Sequence, residues 1–92
     1  MLTLSLSTQY RKDYKRISRR GYNVDLLNDV IRQLLEQKTL APRYEDHPLK
    51  GEFAGMRECH IKPNWLLIYE IDGVHLILTA TRTGTHDDLG LE

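Results

Sequence analysis

Ninety-two residues, 40% hydrophobic and 28% charged, suffice for a single domain spanning residues 1–92 with one small core, and they exclude a large enclosed substrate cavity, so any active surface should be open. The lone cysteine excludes an internal disulfide, no apolar run approaches membrane-spanning length, and the N-terminus lacks the basic-then-apolar order of a signal peptide, so a reducing, cytoplasmic setting without membrane contact is expected. The formal net charge of zero conceals a division: residues 1–20 hold six basic side chains against Asp13, whereas residues 51–92 carry a balance of −4, which predicts a basic N-terminal face for phosphates or an acidic segment.

Leu2, Leu4 and Leu6 alternate with polar residues, the period of a short strand with one buried face. Ser7 or Thr8 then caps a helix starting near Gln9, in which Tyr10, Tyr14 and Ile17 form the packing stripe; Lys12, Lys15, Arg16, Arg19 and Arg20 fill the other positions before Gly21 ends it. Asn23 caps a second helix whose stripe, Leu26, Leu27, Val30, Ile31, Leu34 and Leu35, is the most continuous in the chain. Pro42 stops it, and Arg43 to Gly55 reads as a long ordered loop. Three strands follow: Met56 to Ile61, Trp65 to Tyr69, and Val74 to Arg82, with a reversal at Glu70 to Gly73 and a tail turning away from the core after Thr83. The class is α+β: an N-terminal strand, a helical hairpin, and a mostly antiparallel twisted sheet.

The residues with chemical potential lie between Tyr44 and His86. Strand parity puts Glu58 and His60 on one face and Arg57, Cys59 and Ile61 on the other, so a carboxylate and an imidazole share a surface while Cys59 reads as a small buried group. His47 and His86 occupy loop positions where regular structure has no need of imidazole. Convergent histidines can move protons near neutral pH, for RNA from the 2′-hydroxyl and to the leaving 5′-oxygen. The spacing of His47, Glu58, His60 and His86 reproduces no compact metal-ligand motif, so no metal and no cofactor is expected. Arg57 and Arg82 are candidates for phosphate charge, Arg82 the better one because parity turns Arg57 toward the scaffold. Asn64 reads as a turn residue and Trp65 as a core anchor, while Tyr44 is free to stack.

Four pieces in order, YEDHPLKG (44–51), GMRECHI (55–61), PNWLLIY (63–69) and RTGTH (82–86), resemble the RelE superfamily, and more closely its YafQ-like branch of bacterial toxin ribonucleases. The resemblance spans nearly the whole chain. It implies a compact α+β, microbial ribonuclease-like fold and metal-independent cleavage of translated mRNA in the ribosomal A site, with neutralisation by a cognate antitoxin. Operator DNA would be met only through the antitoxin complex. It also implies that His47, His60 and His86 are the catalytic histidines, with Glu58 at a carboxylate position where the branch has Asp. Lys12, Lys15, Arg16, Arg19 and Arg20 would then face 16S ribosomal RNA. Asn64 stands where the branch has a second Asp, and no aromatic follows His86. These two departures support an alternative: a catalytically weakened homologue acting mainly as an antitoxin-binding, operon-regulatory protein.

Overall fold

The computed structural model describes residues 1–91 in the order β1 (Thr3–Leu6), α1 (Thr8–Arg19), α2 (Val24–Leu35), a 3-10 turn (Pro42–Tyr44), β2 (His47–Pro48), a second 3-10 turn (Gly51–Phe53), β3 (Arg57–Lys62), β4 (Trp65–Asp72) and β5 (Ile77–Gly84). All five strands join one sheet in the order β1-β5-β4-β3-β2, parallel between β1 and β5 and antiparallel elsewhere. Among the described residues no helix is long and apolar enough to cross a membrane.

Local chemistry explains where the helices begin and end. The Ser7 side chain accepts from the Tyr10 N–H at 2.9 Å, capping α1, and its hydroxyl donates to the Thr81 carbonyl at 2.7 Å. That carbonyl is available because Ile68 pairs with Arg82 and Tyr69 with Ala80, which leaves Thr81 as the extra residue of a bulge. One serine therefore starts the helix and ties it to β5. At the other end Gly21, at φ +83°, lets the Tyr22 N–H reach back to the Ile17 carbonyl at 3.1 Å. Asn23 caps α2 by accepting from the Asp25 N–H.

The sheet is covered on both faces. On one, Cys59, Trp65, Leu67, Tyr69, Leu78 and Ala80 pack with Tyr10, Ile17, Leu27, Val30 and Leu34 of the helices. On the other, Leu66 and Ile68 are fully buried beneath Leu89, with Leu49, Phe53, Met56 and Leu91 partly covering them. A buried leucine or isoleucine contributes about 1.5–3 kcal/mol, so this second cluster is enough to hold the 49–56 loop and the C-terminal turn against β4. Trp65 is an anchor: its indole N–H donates to Thr83 Oγ1 at 3.0 Å, and Tyr22 meets it edge-on at 5.0 Å.

Several expectations change. Leu4 is 40% exposed, because it opens onto a groove of about 480 Å³ that it lines with Leu6, Tyr10, Tyr14 and Ile31. Leu26 lies at the rim of its stripe and is also exposed. The reversal falls at 73–76, later than the composition suggested: β4 continues through Asp72, whose carboxylate accepts from the Val74 and His75 N–H groups and closes the turn. Val74 is consequently exposed outside the strand. The tail does not leave the core, since residues 86–90 form a turn that returns Leu89 to it.

Candidate active site

The short strand β2 was not apparent in the composition of the 43–55 loop, yet it positions the site. Its pairing sets His47 opposite Glu58, Glu58 opposite Ile68, and Ile68 opposite Arg82, one row across four strands; the next row runs His60, Leu66, Gly84. Side chains paired in this way share a sheet face. Glu58 and His60 thus lie together as parity predicts, and the irregularity after His60 falls beyond the pair. Cys59, on the opposite face, is fully buried, and desolvation pushes its thiol up to about 12, which removes it from nucleophilic chemistry.

His47, His60 and His86 converge. Ring centroids are 6.3 Å apart for His47 and His60 and 5.9 Å for His60 and His86. Each Nδ1 faces an oxygen: the Glu45 carbonyl for His47 at 2.6 Å, the Glu45 carboxylate for His60 at 2.8 Å, and Asn64 Oδ1 for His86 at 3.1 Å. An imidazole that donates from Nδ1 keeps its Nε2 lone pair for chemistry. His47 Nε2 lies 2.9 Å from Glu58 Oε2 and can only donate to it, whereas His60 Nε2 is 3.9 Å from the same oxygen. Glu58 is 6% exposed, so its charge is felt in a poorly solvated place. His75, by contrast, pairs with Asp72 in the β4–β5 turn, away from the other three histidines.

One donor atom from each of Glu58, His60 and His86 lies within 4.8 Å of the others. The sequence spacing had shown no such group, because three separate segments supply it. Two imidazoles and one carboxylate form a donor set that suits a transition cation.

The cationic residues divide by partner. Arg82 is on the site face, but its Nε donates to Asp13 at 2.7 Å. Arg57 is held by Asp46 at 3.3 Å, and the same carboxylate accepts from the Tyr69 hydroxyl at 2.6 Å. Arg16 pairs with Asp13 at 3.0 Å, and Arg20 makes a two-point contact with Asp88 at 2.7 and 3.1 Å. Lys12, Lys15 and Arg19 are exposed and have no ion pair among the described residues. The basic surface open to a polyanion is therefore narrower than the run of charges suggested. Asn64 does more than form a turn, through its bond to His86, and Tyr44 is half-buried beneath Arg43, whose guanidinium lies 4.9 Å above its ring.

Sequence reasoning missed four acidic residues. Asp13 is fully buried and accepts from Arg82, Arg16, Gln9 and the Thr83 N–H. Its position three after Tyr10 and four before Ile17, on the packing stripe, was the available signal. Glu45 and Asp46 lie inside the YEDHPLKG piece, where only His47 had been assigned a role. Asp88 closes the C-terminal turn by accepting from the Thr85 N–H at 3.0 Å, while the Asp88 N–H donates to Thr85 Oγ1 at 3.1 Å.

The Arg20 guanidinium holds the Asp88 carboxyl well below the usual carboxylate range. A folded-state value below the unfolded one, about 3.9, gives stability that is present above pH 4 and is lost as pH falls toward the folded value. The thermal midpoint of the wild type should exceed that of Asp88→Asn near neutrality, and the gap should narrow below about pH 4. A gap unchanged down to pH 2 would remove the pair from the acid response.

A family model described as the bacterial toxin of a type II toxin-antitoxin system, YafQ, matches residues 2–90. The mRNA interferase toxin YafQ of Escherichia coli K12 is 36% identical over 84 residues, covering 90% of this chain and 89% of that protein. A metal-bound toxin from Helicobacter pylori superposes with a TM-score of 0.91 at 42% identity, over 97% of this chain and 99% of the other. The toxin in the E. coli DinJ-YafQ complex gives 0.88 at 32% identity, over 97% and 98%.

Proposed function

The chain belongs to the YafQ family of bacterial toxins of type II toxin-antitoxin systems, an endoribonuclease of the mRNA-interferase kind, and on that premise we propose that it cuts translated message in the ribosomal A site by acid–base chemistry that requires no metal. The observation that carries this reading is the gathering of His47, His60 and His86 around Glu58 with every Nδ1 held by an oxygen. The Glu58–His60 pair accepts the proton of the 2′-hydroxyl as that oxygen attacks phosphorus. His86, on the other side of His60, donates a proton to the departing 5′-oxygen, leaving a 2′,3′-cyclic phosphate and a 5′-hydroxyl. His47, in its protonated form, and Arg82 lie on the same face and can stabilise charge on the phosphoryl oxygens.

The ribosome presents single-stranded message already aligned, so this open surface need supply little orientation itself. Lys12, Lys15 and Arg19 contribute salt-sensitive attraction to ribosomal RNA. By analogy with the DinJ-YafQ complex, a cognate antitoxin neutralises the toxin in the cytoplasm, and operator DNA is reached only through that complex. Residues 1–92 would act as one domain.

The test is purified, antitoxin-free protein added to programmed ribosomes, with the message ends mapped. Codon-positioned cuts ending in a cyclic phosphate are expected. Binding to ribosomes without any cut would instead support the weakened, regulatory reading, and equal cutting of free RNA would remove the ribosome from the mechanism.

By analogy with the metal-bound toxin from H. pylori, a cation would be held by Glu58, His60 and His86, whose donor set suits a transition metal. Such an ion supplies Lewis acidity when bound. It would also occupy the atoms that Glu58, His60 and His86 need for proton transfer. Micromolar Cu²⁺ or Zn²⁺ should therefore slow cleavage, and a chelator should restore it, in buffers that keep the ribosome's Mg²⁺. Loss of cleavage on chelation under those conditions would overturn the metal-free chemistry.

A further inference from the structure

We propose that Glu45 is a positioning residue of the cleavage site, its carboxylate orienting His60 through Nδ1 while its backbone carbonyl fixes His47. The inference rests on the acid–base reading of the site. The resemblance gives Glu45 no role, although it sits in the YEDHPLKG piece, and its side chain is 65% exposed; an exposed glutamate ordinarily makes no fixed contact. Here two contacts converge on it, 2.6 Å from the carbonyl to His47 Nδ1 and 2.8 Å from Oε2 to His60 Nδ1.

The backbone explains the convergence. Pro42 opens the 3-10 turn and its carbonyl accepts from the Glu45 N–H at 3.0 Å, and Glu45 then takes the left-handed conformation, φ +48° and ψ +43°. A non-glycine residue in that region is strained and persists only where the surroundings impose it. The next residue supplies the restraint, because Asp46 is pinned by the Tyr69 hydroxyl and Arg57. The chain therefore reverses so that both the carbonyl and the carboxylate of Glu45 meet imidazoles that arrive from β2 and β3.

The chemical consequence is directional. A carboxylate that accepts from Nδ1–H selects the His60 tautomer whose Nε2 is free to take a proton. His86 is oriented by Asn64, a neutral amide. The charged orienting group thus sits on His60 and the neutral one on His86, so the two rings are held by different chemistry.

The experiment compares wild type, Glu45→Ala and Glu45→Gln. The glutamine keeps an oxygen acceptor for Nδ1–H but removes the charge, whereas the alanine removes both. Single-turnover cleavage on saturating programmed ribosomes should fall about 10- to 100-fold for Glu45→Ala, with a smaller loss for Glu45→Gln and little change in the half-saturating ribosome concentration. Nitrogen-15 spectra of the histidine rings in the free protein should show neutral His60 as the Nδ1–H tautomer in wild type and a shift toward Nε2–H in Glu45→Ala. An unchanged His60 tautomer in Glu45→Ala overturns the proposal, as does an unchanged rate where wild type cuts. If wild type cuts no message, the acid–base reading fails, and the ring spectra still decide whether Glu45 sets the His60 tautomer.

Discussion

Replacing His86 with alanine should lower ribosome-dependent cleavage by about 10²- to 10⁴-fold, the range for removing a positioned proton donor, with no loss of fold. His47 and His60 reach the site from β2 and β3, but His86 alone comes from beyond β5, where the turn of residues 86–90 carries it back toward Asn64. In-line displacement needs a base and an acid on opposite sides of phosphorus, so two imidazoles left on one side cannot substitute for it. The turn itself should survive the substitution. Leu89 remains buried on Leu66 and Ile68, and Asp88 remains tied to Thr85 and Arg20. Full activity in a folded His86→Ala protein would transfer the acid role elsewhere. Asn64→Ala should cost less, since it frees the His86 ring without removing its proton.

The second large effect concerns stability. Asp13→Ala should destabilise the fold by about 3–5 kcal/mol, the usual cost of deleting one partner from a buried charged pair. The Asp13 side chain has no exposure and joins α1 to β5 through Arg82 and the Thr83 N–H. Its loss would strand a largely buried guanidinium, 21% exposed, and an unpaired backbone donor. For a chain of this size a loss of about 3 kcal/mol lowers the thermal midpoint by more than about 10 °C. A shift of only a few degrees would mean that water satisfies Arg82 and Thr83. Because Thr83 also accepts from Trp65 and donates to the Leu66 carbonyl, cleavage should decline in parallel with the damage to β5. Asp13→Asn, which keeps acceptor capacity without charge, should fall between the two.

The fate of the basic helix follows from the same hub. A run of lysines and arginines on one helix reads as a single anionic-partner surface, yet Asp13 and Asp88 engage Arg16 and Arg20. Asp88 lies 68 residues from Arg20 in the chain, and no local pattern relates them. Tertiary pairing makes part of that expected surface a clamp on the turn that carries His86.

Much of the scaffold was legible because its signals are local. The stripe of α2, the caps at Ser7 and Asn23, the glycine after α1, and the alternation that put Glu58 beside His60 depend on residues within a turn or a pleat of one another. The errors came where local pattern competed with remote contacts. β2 has only two residues, one of them proline, and exists because β3 offers a partner edge. The β4–β5 turn moved to 73–76 because Asp72 could cap it. Leu4 alternates like a buried residue, but it faces a groove that neither helix fills.

The amino-acid sequence alone determined the α+β class, the helical hairpin, the burial of Cys59 and the four pieces that marked a family resemblance, since periodicity, capping and motif order act over short stretches. Only the tertiary structure decided that His47, His60 and His86 meet around Glu58, that Glu45 and Asn64 hold their rings, and which arginines Asp13, Asp46 and Asp88 retain. Those choices depend on distances of a few ångströms between segments up to 69 residues apart, set by sheet register and by two apolar clusters on opposite faces of one sheet.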